Sequence, residues 1–62
     1  MIPTADDLKS FIRDNQPVNL SKIAREFNIR AATASELVRA LEEQREAIVE
    51  KTAGSKFVKL IP

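Results

Sequence analysis

The chain has no cysteine, no histidine, no tryptophan and no tyrosine, and only one glycine among its 62 residues. Without cysteine there is no disulfide framework, no thiolate metal site and no cysteine nucleophile. Without histidine the commonest acid–base group and metal ligand is missing. What remains for proton transfer is Asp, Glu and Lys, on a chain too short to wall off a pocket of about 300 Å³. The absences therefore point away from an enzyme, a metal site or a bound cofactor, and toward a binding module. Long apolar runs are lacking as well. No stretch approaches the roughly 18 apolar residues of a membrane span, so no membrane partner is expected. Met1 to Asp7 does not have the basic, then apolar, layout of a signal peptide, which reads as cytoplasmic.

What is present suffices for one small domain, expected to occupy residues 1–62, of the size that buries about 60% of its unfolded surface. Hydrophobic residues make up 44% of the chain and charged residues 31%, so the composition is that of a folded protein rather than a disordered one. The ten basic and nine acidic groups leave a net charge of only +1. They are not spread evenly. Residues 1–30 carry +1, residues 31–50 carry −3 and residues 51–62 carry +3.

Apolar spacing predicts three helices, at about 4–15, 20–28 and 31–45, and a β-hairpin at about 47–61: a mainly α fold with a small β part. Thr4 can cap the first helix, with Asp6 and Asp7 at the positive end of its dipole and Leu8, Phe11 and Ile12 on one face. Asn15 is read as tolerating the left-handed conformation of the helix end, and Pro17 holds Gln16 extended. In the second helix Asn19 is the cap and Leu20, Ile23, Ala24 and Phe27 form the stripe, with Asn28 at a tight turn that wants positive φ. Ala34, Leu37, Val38 and Leu41 share one face of the third.

The start of that third helix carries a conflict. Arg30 is a poor cap, whereas Thr33 with Glu36 matches a capping box, so its first turn is expected to be loose or missing. The β-branched stretches 47–51 and 56–61 flank Thr52-Ala53-Gly54-Ser55, a four-residue turn. The pattern of the second strand leaves its facing open, with Phe57 on the inner side as one alternative.

The order helix, short extended piece, helix, tight turn, helix, hairpin resembles the winged-helix version of the helix-turn-helix fold. Val18 to Ile29 looks like that family's capped second helix with its small Ala and its turn. Leu37 to Gln44 looks like the end of its third helix. Within the superfamily, the run from Phe27 to Gln44 also resembles the globular core of a small-subunit ribosomal protein of archaea and eukaryotes. One departure stands out. Arg45-Glu46 occupies the place of a Gly and an apolar residue, so the exit from the third helix is expected to shift by a residue or two.

The resemblance implies a DNA-binding module that regulates transcription or forms part of a DNA-bound complex. Its third helix would enter the major groove, with the wing on the backbone. Base-edge candidates are then Ala31, Ala32, Thr33, Ser35, Glu36 and Arg39, with Arg39 able to pair bidentately with guanine. Phosphate contacts fall to Lys22, Arg25, Arg30, Lys51, Ser55 and Lys56. Each of these is also what an ordinary solvated surface looks like, but three lysines without an acid in residues 51–62 are harder to explain that way.

The glutamates of residues 31–50 argue the other way, because they repel phosphates. They are expected to be partly paired with Arg39 and Arg45. They also support an alternative, a winged-helix module for protein or ribonucleoprotein interaction that meets a basic partner through its acidic third helix. RNA, a protein partner, and a dimer or larger complex stay open. Phe11 and Phe27 belong to core stripes, which makes base stacking on aromatic platforms a poor expectation.

Overall fold

The computed structural model describes residues 2–62. The elements follow in the order α1 (Ala5–Asn15), β1 (Val18–Asn19), α2 (Leu20–Glu26), α3 (Ala31–Glu43), β2 (Ala47–Thr52) and β3 (Ser55–Leu60). The three strands form one antiparallel sheet in the order β1-β3-β2. Three helices and a small sheet are thus the architecture expected from apolar spacing, apart from the two-residue strand β1.

Helix α1 opens on a reciprocal cap, in which the Asp7 amide donates to Thr4 Oγ1 at 3.1 Å and the Thr4 amide to Asp7 Oδ2 at 3.5 Å. At its end Asn15 does not take the left-handed conformation. It stays helical, and its side-chain amide donates to the Phe11 carbonyl at 2.9 Å, one of the carbonyls that the helix end leaves without a partner. Gln16 is extended before Pro17, and its side-chain oxygen accepts from the Leu60 amide at 2.9 Å, which ties β3 back to the end of α1.

In α2 the Asn19 side chain accepts from the Lys22 amide at 2.7 Å. The helix closes through Asn28 at φ 52°, with the Asn28 amide bonded to the Arg25 carbonyl and the Ile29 amide to the Ala24 carbonyl. These paired bonds are the Schellman closure. Helix α3 closes the same way. The Arg45 amide bonds to the Glu42 carbonyl and the Glu46 amide to the Leu41 carbonyl, with Arg45 at φ 59° in the position that usually holds glycine. The helix therefore ends two residues earlier than the periodicity suggested.

The first turn of α3 is present, contrary to expectation. Arg30 is the N-cap with no side-chain bond, yet the Ala34 amide donates to the Arg30 carbonyl at 2.9 Å. Burial of Ala34, Val38 and Leu41 on one stripe holds the turn in place of a cap, as tertiary packing commonly overrides local preference.

The hairpin is tighter than a four-residue loop. Pairing runs out to Thr52 and Ser55, leaving Ala53 at φ 50° and Gly54 at φ 81° as the two loop residues. Two consecutive positive φ values are those of a type I′ turn, whose twist matches that of the strands. Register decides the facing that the pattern left open. Val58 opposes Val49 and Val18 on the inner face, while Phe57 opposes Glu50 and Asn19 on the outer face.

The core joins all the layers: Leu8 and Ile12 of α1, Val18, Ile23 and Ala24, Ala34, Val38 and Leu41 of α3, Ala47 and Val58. Phe11 and Phe27 pack edge to face at its margin, with centroids 5.6 Å apart. Phe57 is not among the side chains packed on this core.

Candidate functional site

Asn19 caps α2 while pairing with Phe57 of β3, so the start of α2 is pinned against the hairpin. Three adjoining depressions follow from that junction. The widest, about 390 Å³, is an open trough along α2 lined by Asn19, Ser21, Lys22, Arg25 and Glu26. Beside it a cleft between α2 and the hairpin tip takes Asn19, Leu20, Ser21, Gly54, Ser55 and Lys56. Leu20 and Lys56 then also line a notch of about 100 Å³ against α3, with Ser35, Arg39 and Glu42. Shared residues make the three one continuous face.

Six of the expected contact residues meet on that face: Lys22, Arg25, Ser35, Arg39, Ser55 and Lys56. Lys51 lies directly opposite Lys56 across the hairpin ladder and is exposed. The other candidates line none of the three depressions. Arg30, Ala31, Ala32 and Glu36 are exposed, on or beside the first turns of α3. Thr33 and Ser35 are both half-buried. Two residues apart on a helix turning about 100° per residue, they lie on opposite flanks of α3 and do not face a common surface.

The cations of this face are in no ion pair among the described residues, although Glu26 and Glu42 also line it. Among the described residues the ion pairs are Lys9 Nζ to Glu46 Oε2 at 2.9 Å and Lys59 Nζ to Glu50 Oε1 at 3.1 Å. The expected pairing of the third helix's glutamates with Arg39 and Arg45 is absent: both arginines stand without a carboxylate within 4 Å, since the chain's geometry draws Glu46 to α1 instead. Lys59 being committed to Glu50, the free positive charge of the hairpin is that of Lys51 and Lys56.

Glu46 Oε2 is covered from solvent, with the Lys9 ammonium as its charged neighbour. The hydrogen bond to Glu46, and then its charge, raise the Lys9 pKa above the ordinary value of 10.5. This pair braces α1 against the α3–β2 junction and lies apart from the basic face.

Asn19, Ser21, Glu26 and Glu42 are the polar lining residues that sequence reasoning did not single out as contacts. Asn19 had a signal, its capping position, but the closeness of α2 to the hairpin depends on β1 pairing with β3. Among the described residues no group of three or more carboxylates converges into a metal-binding cluster, and no helix is long and apolar enough to cross a membrane. The chain matches no family model, no curated protein and no solved structure.

Proposed function

We propose that the chain is a winged-helix module that binds double-stranded DNA, as a transcriptional regulator or as a subunit of a DNA-bound complex. In this reading α3 lies toward the major groove and the hairpin is the wing on the backbone. One observation carries it: the continuous face on which Lys22, Arg25, Arg39 and Lys56 converge, none of them in an ion pair. Cations grouped on one face and outside ion pairs are what phosphate recognition requires. The Lys51 and Lys56 pair adds to it, because like charges directly opposite on a ladder weaken a hairpin and are relieved by an anionic partner.

A titration of duplex DNA at low salt, followed residue by residue through amide chemical shifts, tests this. Shifts are expected for Ser21, Lys22, Ser55, Lys56 and Arg39, and weaker binding for a Lys51→Ala, Lys56→Ala double variant. Silence of those amides at saturating duplex would sink the reading. A second reading, a protein or ribonucleoprotein interaction module, is favoured by Glu36, Glu42 and Glu43 of α3, exposed and outside any ion pair. Nuclease-resistant association with a basic protein partner, with shifts confined to those glutamates, is its signature.

A further inference from the structure

Arg39 is the one long cation on α3, and its place decides how the helix can meet DNA. It lines the notch of about 100 Å³ together with Lys56 of the hairpin and Ser35 one turn earlier on the same flank. Leu20, Val38 and Val49 complete the lining, whose accessible surface is mainly polar. Two cations and a hydroxyl lining one small notch suit one tetrahedral anion, because charge-assisted hydrogen bonds to it are the strong ones. The cations come from two different elements. A phosphate held between them would lock α3 and the hairpin to one strand.

The rest of α3 offers little that reads bases. Its outward ridge, opposite the buried Ala34, Val38 and Leu41, consists of Ala32, Glu36, Ala40 and Glu43, all exposed. Methyl groups and carboxylates supply no donor for guanine or adenine; what they offer is contact with a thymine methyl and an acceptor for cytosine N4, and the carboxylates repel the adjacent backbone. Thr33 faces the other flank. Arg39 is thus the one side chain of α3 able to pair bidentately with guanine, and it lines the notch.

We propose that this notch is a phosphodiester site, and that the chain therefore holds duplex DNA by its backbone with no preference for base sequence. The proposal rests on the DNA-binding reading above and assigns Arg39 to phosphate instead of guanine. Glu42, in the wall of the same notch, opposes the anion and limits affinity.

Binding of three duplexes of equal length, one G·C-rich, one A·T-rich and one mixed, is measured by fluorescence anisotropy over a series of salt concentrations. The proteins are the unaltered chain, Arg39→Ala and Glu42→Gln. Arg39→Ala is expected to weaken all three by the same factor, about five- to tenfold at low salt, and to make the slope of log K against log salt shallower by about one. Glu42→Gln is expected to tighten all three about two- to fivefold, a gain that impaired folding does not mimic. A loss in Arg39→Ala confined to duplexes carrying particular bases overturns the proposal. Unchanged affinity in both variants, with the unaltered chain still binding, rejects the notch and leaves the DNA reading standing. No binding of any duplex by the unaltered chain rejects both.

Discussion

Three residues that carry side chains take the left-handed backbone conformation: Asn28, Arg45 and Ala53. Asn28 fits, because its short amide tolerates that region, and it was legible for that reason. Arg45 and Ala53 have no such excuse, and a Cβ there costs about 1–2 kcal/mol. Ala53 sits in an open two-residue loop beside Gly54, where Asn-Gly is the favoured pair for this turn. Ala53→Asn is therefore expected to stabilise the fold by about 0.5–1 kcal/mol, raising the thermal midpoint by about 4–8 °C per kcal/mol for a domain of this size; thermal unfolding followed by circular dichroism checks it. Lys9 gives a second expectation at this scale. Its pKa is raised above 10.5 in the fold, so the stability contributed by its pairing with Glu46 is fully present below 10.5. It is lost as pH rises through the folded value. Urea midpoints of the unaltered chain and Lys9→Gln should differ by a constant amount between about pH 7 and 9 and draw together as pH rises beyond 10.5; a gap that does not shrink there would exclude the pair as its cause.

Elements were legible where one physical cause set them. Thr4 and Asn19 are oxygen-bearing residues ahead of apolar stripes, and both are caps. The first turn of α3 was misread because local capping chemistry favoured Thr33, whereas burial of Ala34 three residues beyond Ala31 decided the outcome. β1 was visible only as a short extended piece. Two residues carry no periodicity, and their strand character comes from Val58 and Phe57, far along the chain in β3. The facing of β3 was undecidable for the same reason: Phe57 and Val58 are both apolar, and register against Val49 and Glu50 chooses between them. In the DNA-binding reading the hairpin sets stability against binding. Replacing Lys51 by Glu turns a like-charge pair with Lys56 into an opposite one, worth about 0.2–1 kcal/mol to the ladder. Lys51→Glu should accordingly melt at a higher temperature than the unaltered chain and bind duplex DNA more weakly, about tenfold at low salt. Equal or tighter binding by that variant would remove the hairpin lysines from the interface.

At the scale of the whole molecule, a net charge of +1 suggests indifference to polyanions, and the charge totals by segment suggest a basic hairpin against an acidic third helix. The folded arrangement divides the molecule differently. Arg39 of the acidic segment and Lys22 and Arg25 of the nearly neutral one join Lys56 along the three adjoining depressions, while Lys59, counted with the basic segment, is neutralised by Glu50. Helix α3 accordingly turns Arg39 and Glu42 toward the hairpin, where Lys56 tips the balance to positive, and carries Glu36 and Glu43 on an acidic ridge away from it. Steering of a polyanion depends on the local field, which falls off over about 8–10 Å at physiological salt, so the near-zero total matters less than this one face. Four cations contacting four phosphates give a slope of log K against log salt of about −3.6, and raising salt from 50 to 200 mM should then weaken binding about a hundredfold. A slope near −1 would mean that the face does not engage as a unit, with one phosphate contact in place of four. A slope of about −4.5 to −5.4 would require one or two cations beyond these four, and Arg30 at the start of α3 and Lys51 on β2 are exposed, unpaired groups able to supply them.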